Sequence, residues 1–146
     1  MQDLTLPPQL NFFTLACRDV ERMAEFFRAL GWTESPASES AHRVFQLPNG
    51  VVLGLYAAEH YEPQLGPRAD GFRGFTLGIN VGSRDEVQAA YAAVSAVEGA
   101  HDLDEPVDSE HGFTGFGFRD PEGNIWEVVW KHGSIVDGQG HLTFEP

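Results

Sequence analysis

The chain has 146 residues, 42% of them apolar, and a formal net charge of −13. This length suits one domain with a sizeable core, and this apolar content excludes a disordered chain. The charge argues against nucleic acid as a partner, because a phosphate backbone would be repelled, and the apolar runs are too short to span a membrane.

The start of the chain and its cysteine usage bear on the cellular compartment. The opening MQDLTLPPQL lacks the basic residues and the long apolar stretch of a secretory signal. Cys17 is the only cysteine, so no disulfide can form within the chain. We therefore expect a cytoplasmic protein, with Cys17 as a small buried residue in a strand.

Two amphipathic helices are predicted by apolar stripes that have proper start and stop residues. The first follows a possible cap at Asp19 and stops at Gly31. The second follows Ser83, which forms a capping box with Glu86, and stops at Gly99. A shift of 64 residues places Asp19 on Ser83 and one stripe on the other. The stripes comprise Val20, Met23, Phe27 and Leu30 in the first helix, and Val87, Ala90, Tyr91, Val94 and Val97 in the second.

Each predicted helix is followed by a strand, a Pro-x-Gly turn and another strand. A shift of 73 residues places Pro48 on Pro121 and Gly50 on Gly123. Because this shift exceeds that of the helices, the second half must contain an insertion, which we place around residues 101–109. The two halves therefore arise from one repeated unit.

The repeat predicts a single α+β domain over residues 1–146, built from two βαβββ modules at about 8–57 and 73–131. Residues 58–72 form a linker rich in proline, glycine and polar residues, and the polar tail after residue 132 lies on the surface. Neither half-sheet can cover its apolar face alone. We expect the modules to form an incomplete barrel around a cleft, with the helices outside and the functional site inside.

Three segments resemble the vicinal oxygen chelate superfamily, which includes glyoxalases, bleomycin-resistance proteins and dioxygenases. Leu10–Trp32 ends in the pattern F-F-x-x-L-G-W, and Phe118–Glu127 contains F-x-D-P-x-G-N-x-x-E. Gly71–Val81 is similar to the start of the second module in one bacterial subgroup. The resemblance extends from Leu10 to Trp130, and it implies a homodimer.

The resemblance also implies where a metal would bind. Classical members hold a divalent ion with a His on the first strand and a Glu on the last strand of each module. These positions fall here on Phe12, Gly54, Thr76 and Glu127, so only one of the four ligands is present. One carboxylate does not hold a transition metal specifically. We therefore predict no metal and no cofactor, which argues against a metal-dependent glyoxalase, an extradiol dioxygenase or a metal-dependent thiol transferase.

Histidines elsewhere are the only alternative source of metal ligands. No two of the six histidines have the spacing of a metal-binding pair. His111 is the best candidate to rebuild a site, because it precedes a strand that should line the cleft. The histidines are His42, His60, His101, His111, His132 and His141.

Strand alternation predicts which side chains face the cleft. They are Phe12, Thr14, Gly54, Thr76, Gly78 and Glu127. This composition fits a protein that sequesters a small organic compound, aromatic or cationic, as bleomycin-resistance proteins do. One alternative is a metal-free lyase or isomerase-like enzyme with Glu127 as general base. Another is a dimeric interaction protein with a vestigial cleft. Two residues also have purely structural explanations: Glu127 as a hydrogen-bond acceptor for Thr76, and Asp120 as a support for the Pro121–Gly123 turn.

Overall fold

The fold is seen in a computed structural model that describes residues 5–144. Residues 1–4 belong to the stretch from which we predicted a cytoplasmic protein, and residues 145–146 to the predicted surface tail. Both of these ends lie outside the described residues.

Nine strands and three helices are formed between residues 5 and 144. In chain order they are β1 (Phe12–Cys17), α1 (Val20–Ala29), β2 (His42–Gln46), β3 (Val52–Ala57), α2 (Ala58–Leu65), β4 (Leu77–Asn80), α3 (Arg84–Ala96), β5 (Val107–Ser109), β6 (Phe113–Arg119), β7 (Ile125–Lys131), β8 (Ser134–Val136) and β9 (Leu142–Phe144).

The two modules form separate open sheets with the same topology, which confirms the predicted α+β fold. The first sheet has the strand order β1-β3-β2 and the second the order β4-β7-β6-β5. In each, the first strand runs parallel to the last, with Thr14 opposite Gly54 and Gly78 opposite Glu127. Those two pairs are related by the same shifts of 64 and 73 residues as the sequence repeat. The first module has only an isolated bridge from Glu34 to Phe45 where the second has β5.

Both predicted helices begin at the predicted caps. The Asp19 carboxylate accepts a hydrogen bond from the Arg22 amide at 3.0 Å, and the Ser83 hydroxyl accepts one from the Glu86 amide at 3.2 Å. Such bonds satisfy amides that have no partner inside the helix. After α1, Gly31 turns the chain with a φ of +91°, a conformation that other residues adopt with strain.

Two elements were not anticipated from the sequence. Helix α2 occupies Ala58–Leu65, inside the stretch with linker composition, and it contains Pro63. Strands β8 and β9 form a separate antiparallel hairpin in the tail.

The core is continuous between the modules, and α1 supplies the connection. Phe27 stacks on Trp32, with ring centroids 4.9 Å apart, and meets Trp126 of β7 at 5.5 Å. Phe26 lies 6.3 Å from Phe118 of β6. Along β7, Trp126 and Val128 are buried in this core, whereas Glu127 is exposed on the opposite face. The functional candidates therefore lie on the side of the second sheet that faces away from the core.

Candidate functional site

An open cavity of about 830 Å³ lies against the second sheet. It involves the strands β5, β6 and β7 and the segment just before β5. Its lining residues are Asp104, Glu105, Val107, Ser109, Phe113, Gly115, Phe116, Gly117, Ile125, Glu127 and Val129.

The chemistry of this lining is acidic and apolar. Asp104, Glu105 and Glu127 contribute three carboxyl groups, and no arginine, lysine or histidine is among the lining residues. The remaining side chains are mainly aliphatic or aromatic. Carboxylates at the rim of an apolar surface attract cations and disfavour anions. The arrangement is therefore suited to an organic cation with an apolar body.

Glu127 is exposed because its cross-strand neighbours are both glycines. Gly78 of β4 and Gly117 of β6 are its partners on either side, so no neighbouring side chain covers the carboxylate. The Thr76 hydroxyl donates a hydrogen bond to Glu127 Oε2 at 3.2 Å, as the structural explanation of Glu127 predicted. This bond holds one oxygen and leaves the other directed to the cavity side of the sheet.

The equivalent position in the first module is Gly54, and a histidine fills the space beside it. A Cβ atom at Gly54 would lie 3.4 Å from His42 Nε2 and 3.3 Å from Thr14 Oγ1. The His42 ring packs edge-on against Tyr56, with centroids 4.9 Å apart. His60 and Tyr61 of α2 approach the same tyrosine at 5.1 and 5.2 Å. This aromatic group was not among the residues selected from the sequence.

The six predicted cleft residues lie in three places. Glu127 lines the cavity, with Thr76 and Gly78 next to it. Thr14 and Gly54 pair with each other on the first sheet. Phe12, at the start of β1, is 65% exposed. The cavity itself takes its lining from the second module alone.

The residues at the implied metal positions do not fit a four-ligand site, because Phe12 and Gly54 have no ligating side-chain atom. Within residues 5–144, no group of three or more histidine, cysteine, aspartate or glutamate side chains could hold a metal. His111 is exposed, and the carboxylate paired with it is the adjacent Glu110, 4.0 Å from Nε2.

The turn after β6 is organised by Asp120, as predicted. Its carboxylate accepts hydrogen bonds from the Glu122 amide, the Asn124 amide and side chain, and the Trp126 indole, all at 2.9–3.0 Å. Burial raises the pKa of Asp120, although these donors oppose that shift. The D-P-x-G-N pattern thus fixes the start of β7 and the position of Glu127 along it.

None of the helices between residues 5 and 144 has the length and apolar character needed to cross a bilayer.

Comparisons with known proteins point to one family. The model of the Glyoxalase/Bleomycin resistance protein/Dioxygenase superfamily matches residues 9–128. No curated protein matches the sequence.

Several solved structures share the fold. A glyoxalase-related enzyme from Fulvimarina pelagi is 24% identical, with a TM-score of 0.80 over 95% of this chain and 99% of that one. A glyoxalase/bleomycin resistance protein/dioxygenase from Nocardioides is also 24% identical, with a TM-score of 0.71 over 88% and 86%. A lactoylglutathione lyase from Agrobacterium tumefaciens is 18% identical, with a TM-score of 0.66 over 86% and 96%. At these identities the likeness is one of fold.

Proposed function

Because the chain belongs to the Glyoxalase/Bleomycin resistance protein/Dioxygenase superfamily, we propose that it sequesters a cationic organic compound with an apolar body, without a bound metal. One observation supports this most directly: the cavity beside Glu127 has three carboxyl groups, apolar walls and no basic side chain. The net charge of −13 acts in the same direction, since it raises the local concentration of cations around the whole molecule.

We also propose that the protein works in the cytoplasm as a homodimer. Several apolar side chains at or near the cleft faces are exposed in one copy, including Val107 at 66% and Phe12 at 65%. A second copy that covers them would give the open cavity another wall. Burial of apolar surface stabilises association by about 25 cal/mol per Å² before the costs of binding are subtracted. Mass measurement by light scattering in solution tests the dimer.

Sequestration is favoured over metal-free catalysis by the surroundings of Glu127. A general base needs a substrate proton within reach and gains from a partner acid or nucleophile. The recorded hydrogen-bond partner of Glu127 is the Thr76 hydroxyl, and the carboxylate is exposed. Turnover of a bound compound that is lost in Glu127→Gln would establish the catalytic alternative instead.

The charge preference can be tested with two ions of nearly the same shape and opposite charge. We expect tetraphenylphosphonium to bind saturably in titration calorimetry, and tetraphenylborate to bind at least tenfold more weakly. Glu127→Gln should weaken tetraphenylphosphonium binding about fivefold to tenfold, which corresponds to about 1–1.4 kcal/mol.

The matched control is Glu25→Gln, which removes the same charge from an exposed position on α1. Its affinity should equal that of the unmodified protein. Equal affinity for both ions, or equal losses in the two variants, would show that the cavity does not select cations.

A further inference from the structure

A second pocket, of about 650 Å³, lies where the N-terminus of α1 meets the linker and the second module. It differs from the cavity beside Glu127 in both location and charge. Its lining residues are Arg18, Asp19, Arg22, Arg68, Asp70, Gly71, Arg73, His101, Asp102, Arg119, Pro121, Glu122 and Gly123.

Basic residues are concentrated in this pocket to an unusual degree. It contains five of the nine basic residues of the chain, but only four of the 22 acidic ones. In a protein with a net charge of −13, scattered surface residues would give the opposite balance. Such a cluster produces a local positive potential that attracts anions.

Partner groups hold most of these arginines in place while leaving donors available. Arg73 donates to the Asn124 side chain at 2.7 Å and to the Glu122 carbonyl at 3.1 Å. Arg119 donates to the Gly123 carbonyl at 3.0 Å. A guanidinium group has five N–H donors, and these contacts use only part of that number. Burial, together with the nearby charge of Arg68, lowers the pKa of Arg73.

Arg68 is the clearest sign of an unfilled interaction. Its side chain is only 10% exposed, and Nη1 donates to Glu122 at 2.5 Å and to the Ala16 carbonyl at 3.2 Å. Its Nε atom is buried and has no hydrogen-bond partner. A buried donor without an acceptor costs roughly 1–3 kcal/mol, so an acceptor supplied from the pocket would be favourable.

The pocket does not depend on the helix terminus for its donors. The Glu122 carboxylate already accepts the amides of Arg18 and Asp19, at 3.0 and 2.9 Å. The Arg22 amide is taken by Asp19. Among residues 5–144, the Arg22 guanidinium itself makes no hydrogen bond or ion pair, so it is available to a ligand.

We propose that this pocket is a binding site for a small phosphate-bearing molecule, held by guanidinium groups from α1, the linker and the second module. Arginine suits this ligand because its planar fork matches phosphate oxygens with two parallel hydrogen bonds. A pyrophosphate or phosphate-ester group, with several oxygens and at least two charges, would engage guanidinium groups from different segments at once. The site is separate from the proposed cation cavity, and it does not depend on that proposal.

Inorganic pyrophosphate is the probe that tests this site. In calorimetry with the full chain, we expect saturable binding at one equivalent that sodium chloride at equal ionic strength does not reproduce. Arg22→Gln should weaken this binding at least tenfold, since it removes a guanidinium that makes no other contact. Prior saturation with tetraphenylphosphonium should leave the pyrophosphate affinity unchanged.

Arg84→Gln is the control, because it removes the same charge at the start of α3, where Arg84 pairs with Asp108 at 2.5 Å. It should bind pyrophosphate as the unmodified protein does. Equal losses in the two variants would reduce the effect to overall charge. Binding that does not exceed that of chloride would overturn the site. The folded state of each variant is checked by its far-UV circular dichroism and melting temperature.

Discussion

Asp120 is the single residue on which the structure of the second module depends most directly. It is fully buried, and both of its oxygens accept bonds, from two backbone amides on one side and from the Asn124 and Trp126 side chains on the other. Asp120→Asn replaces one acceptor with an NH₂ group that faces two donors. We expect a loss of about 2–4 kcal/mol in the free energy of unfolding.

Urea denaturation followed by tryptophan fluorescence measures this loss. Asp85→Asn, at an exposed position in the first turn of α3, should change the free energy of unfolding by less than about 0.5 kcal/mol. A similar effect of both substitutions would mean that the buried hydrogen bonds of Asp120 contribute little.

Residues whose environment follows from strand alternation were predicted well, whereas those set by cross-strand packing were not. Cys17 is buried as predicted, and burial raises its pKa to about 12, so it is a poor nucleophile. The bond between Thr76 and Glu127 was also predicted. The place of His42 was not, because it depends on the missing Cβ atom of Gly54, on a strand whose register the sequence alone does not give.

At the scale of elements, helix α3 offers a clean test of capping. Ser83 accepts from the Glu86 amide, while Glu86 in turn accepts from the Gly82 amide. Ser83→Ala should lower the free energy of unfolding by about 1 kcal/mol, because an amide at the helix start loses its acceptor. Chemical denaturation of the variant measures this change.

Ser95→Ala is the control for Ser83→Ala, since both remove a serine hydroxyl from the same helix. Ser95 lies in the last turn and is exposed, and its hydroxyl bonds back to the Tyr91 carbonyl at 2.7 Å. Alanine favours helix more than serine does, so Ser95→Ala should be neutral or slightly stabilising. Equal destabilisation by the two changes would contradict a capping role.

The helices and hairpins of the two modules were predictable because each occurs twice, with caps and turns at matching positions. Helix α2 has no counterpart in the second module, and Pro63 and Gly66 gave its segment the composition of a loop. A proline near the end of a short helix removes one internal hydrogen bond. Packing of the aromatic side chains of α2 against Tyr56 offsets this cost, and local sequence does not reveal such contacts.

At the scale of the whole molecule, the fold class and the repeat were predicted, but the arrangement of the two cleft faces was not. Periodicity shows which side chains share a face of a strand, but it does not show which faces meet. The cavity therefore includes Asp104, Glu105 and Phe113, none of which was selected from the sequence, and it takes no residue from the first module.

The continuous aromatic core predicts that the two modules unfold together. Phe27 is 1% exposed and contacts Phe45 of the first sheet, at 5.8 Å, as well as Trp126 of the second, at 5.5 Å. Neither sheet can keep its apolar face covered once the other separates. We expect one urea transition, with coincident curves from far-UV circular dichroism and tryptophan fluorescence, since Trp32 and Trp126 report on different modules.

Phe27→Ala should lower the free energy of unfolding by about 3–5 kcal/mol while the transition stays single, because the cavity it leaves weakens both sheets at once. Phe72→Ala serves for comparison, since that side chain is 66% exposed and its loss should cost little. Two separate transitions in the unmodified protein would show that each module is stable alone. In that case the aromatic contacts of α1 would join two independent units, and Phe27→Ala would separate the transitions further.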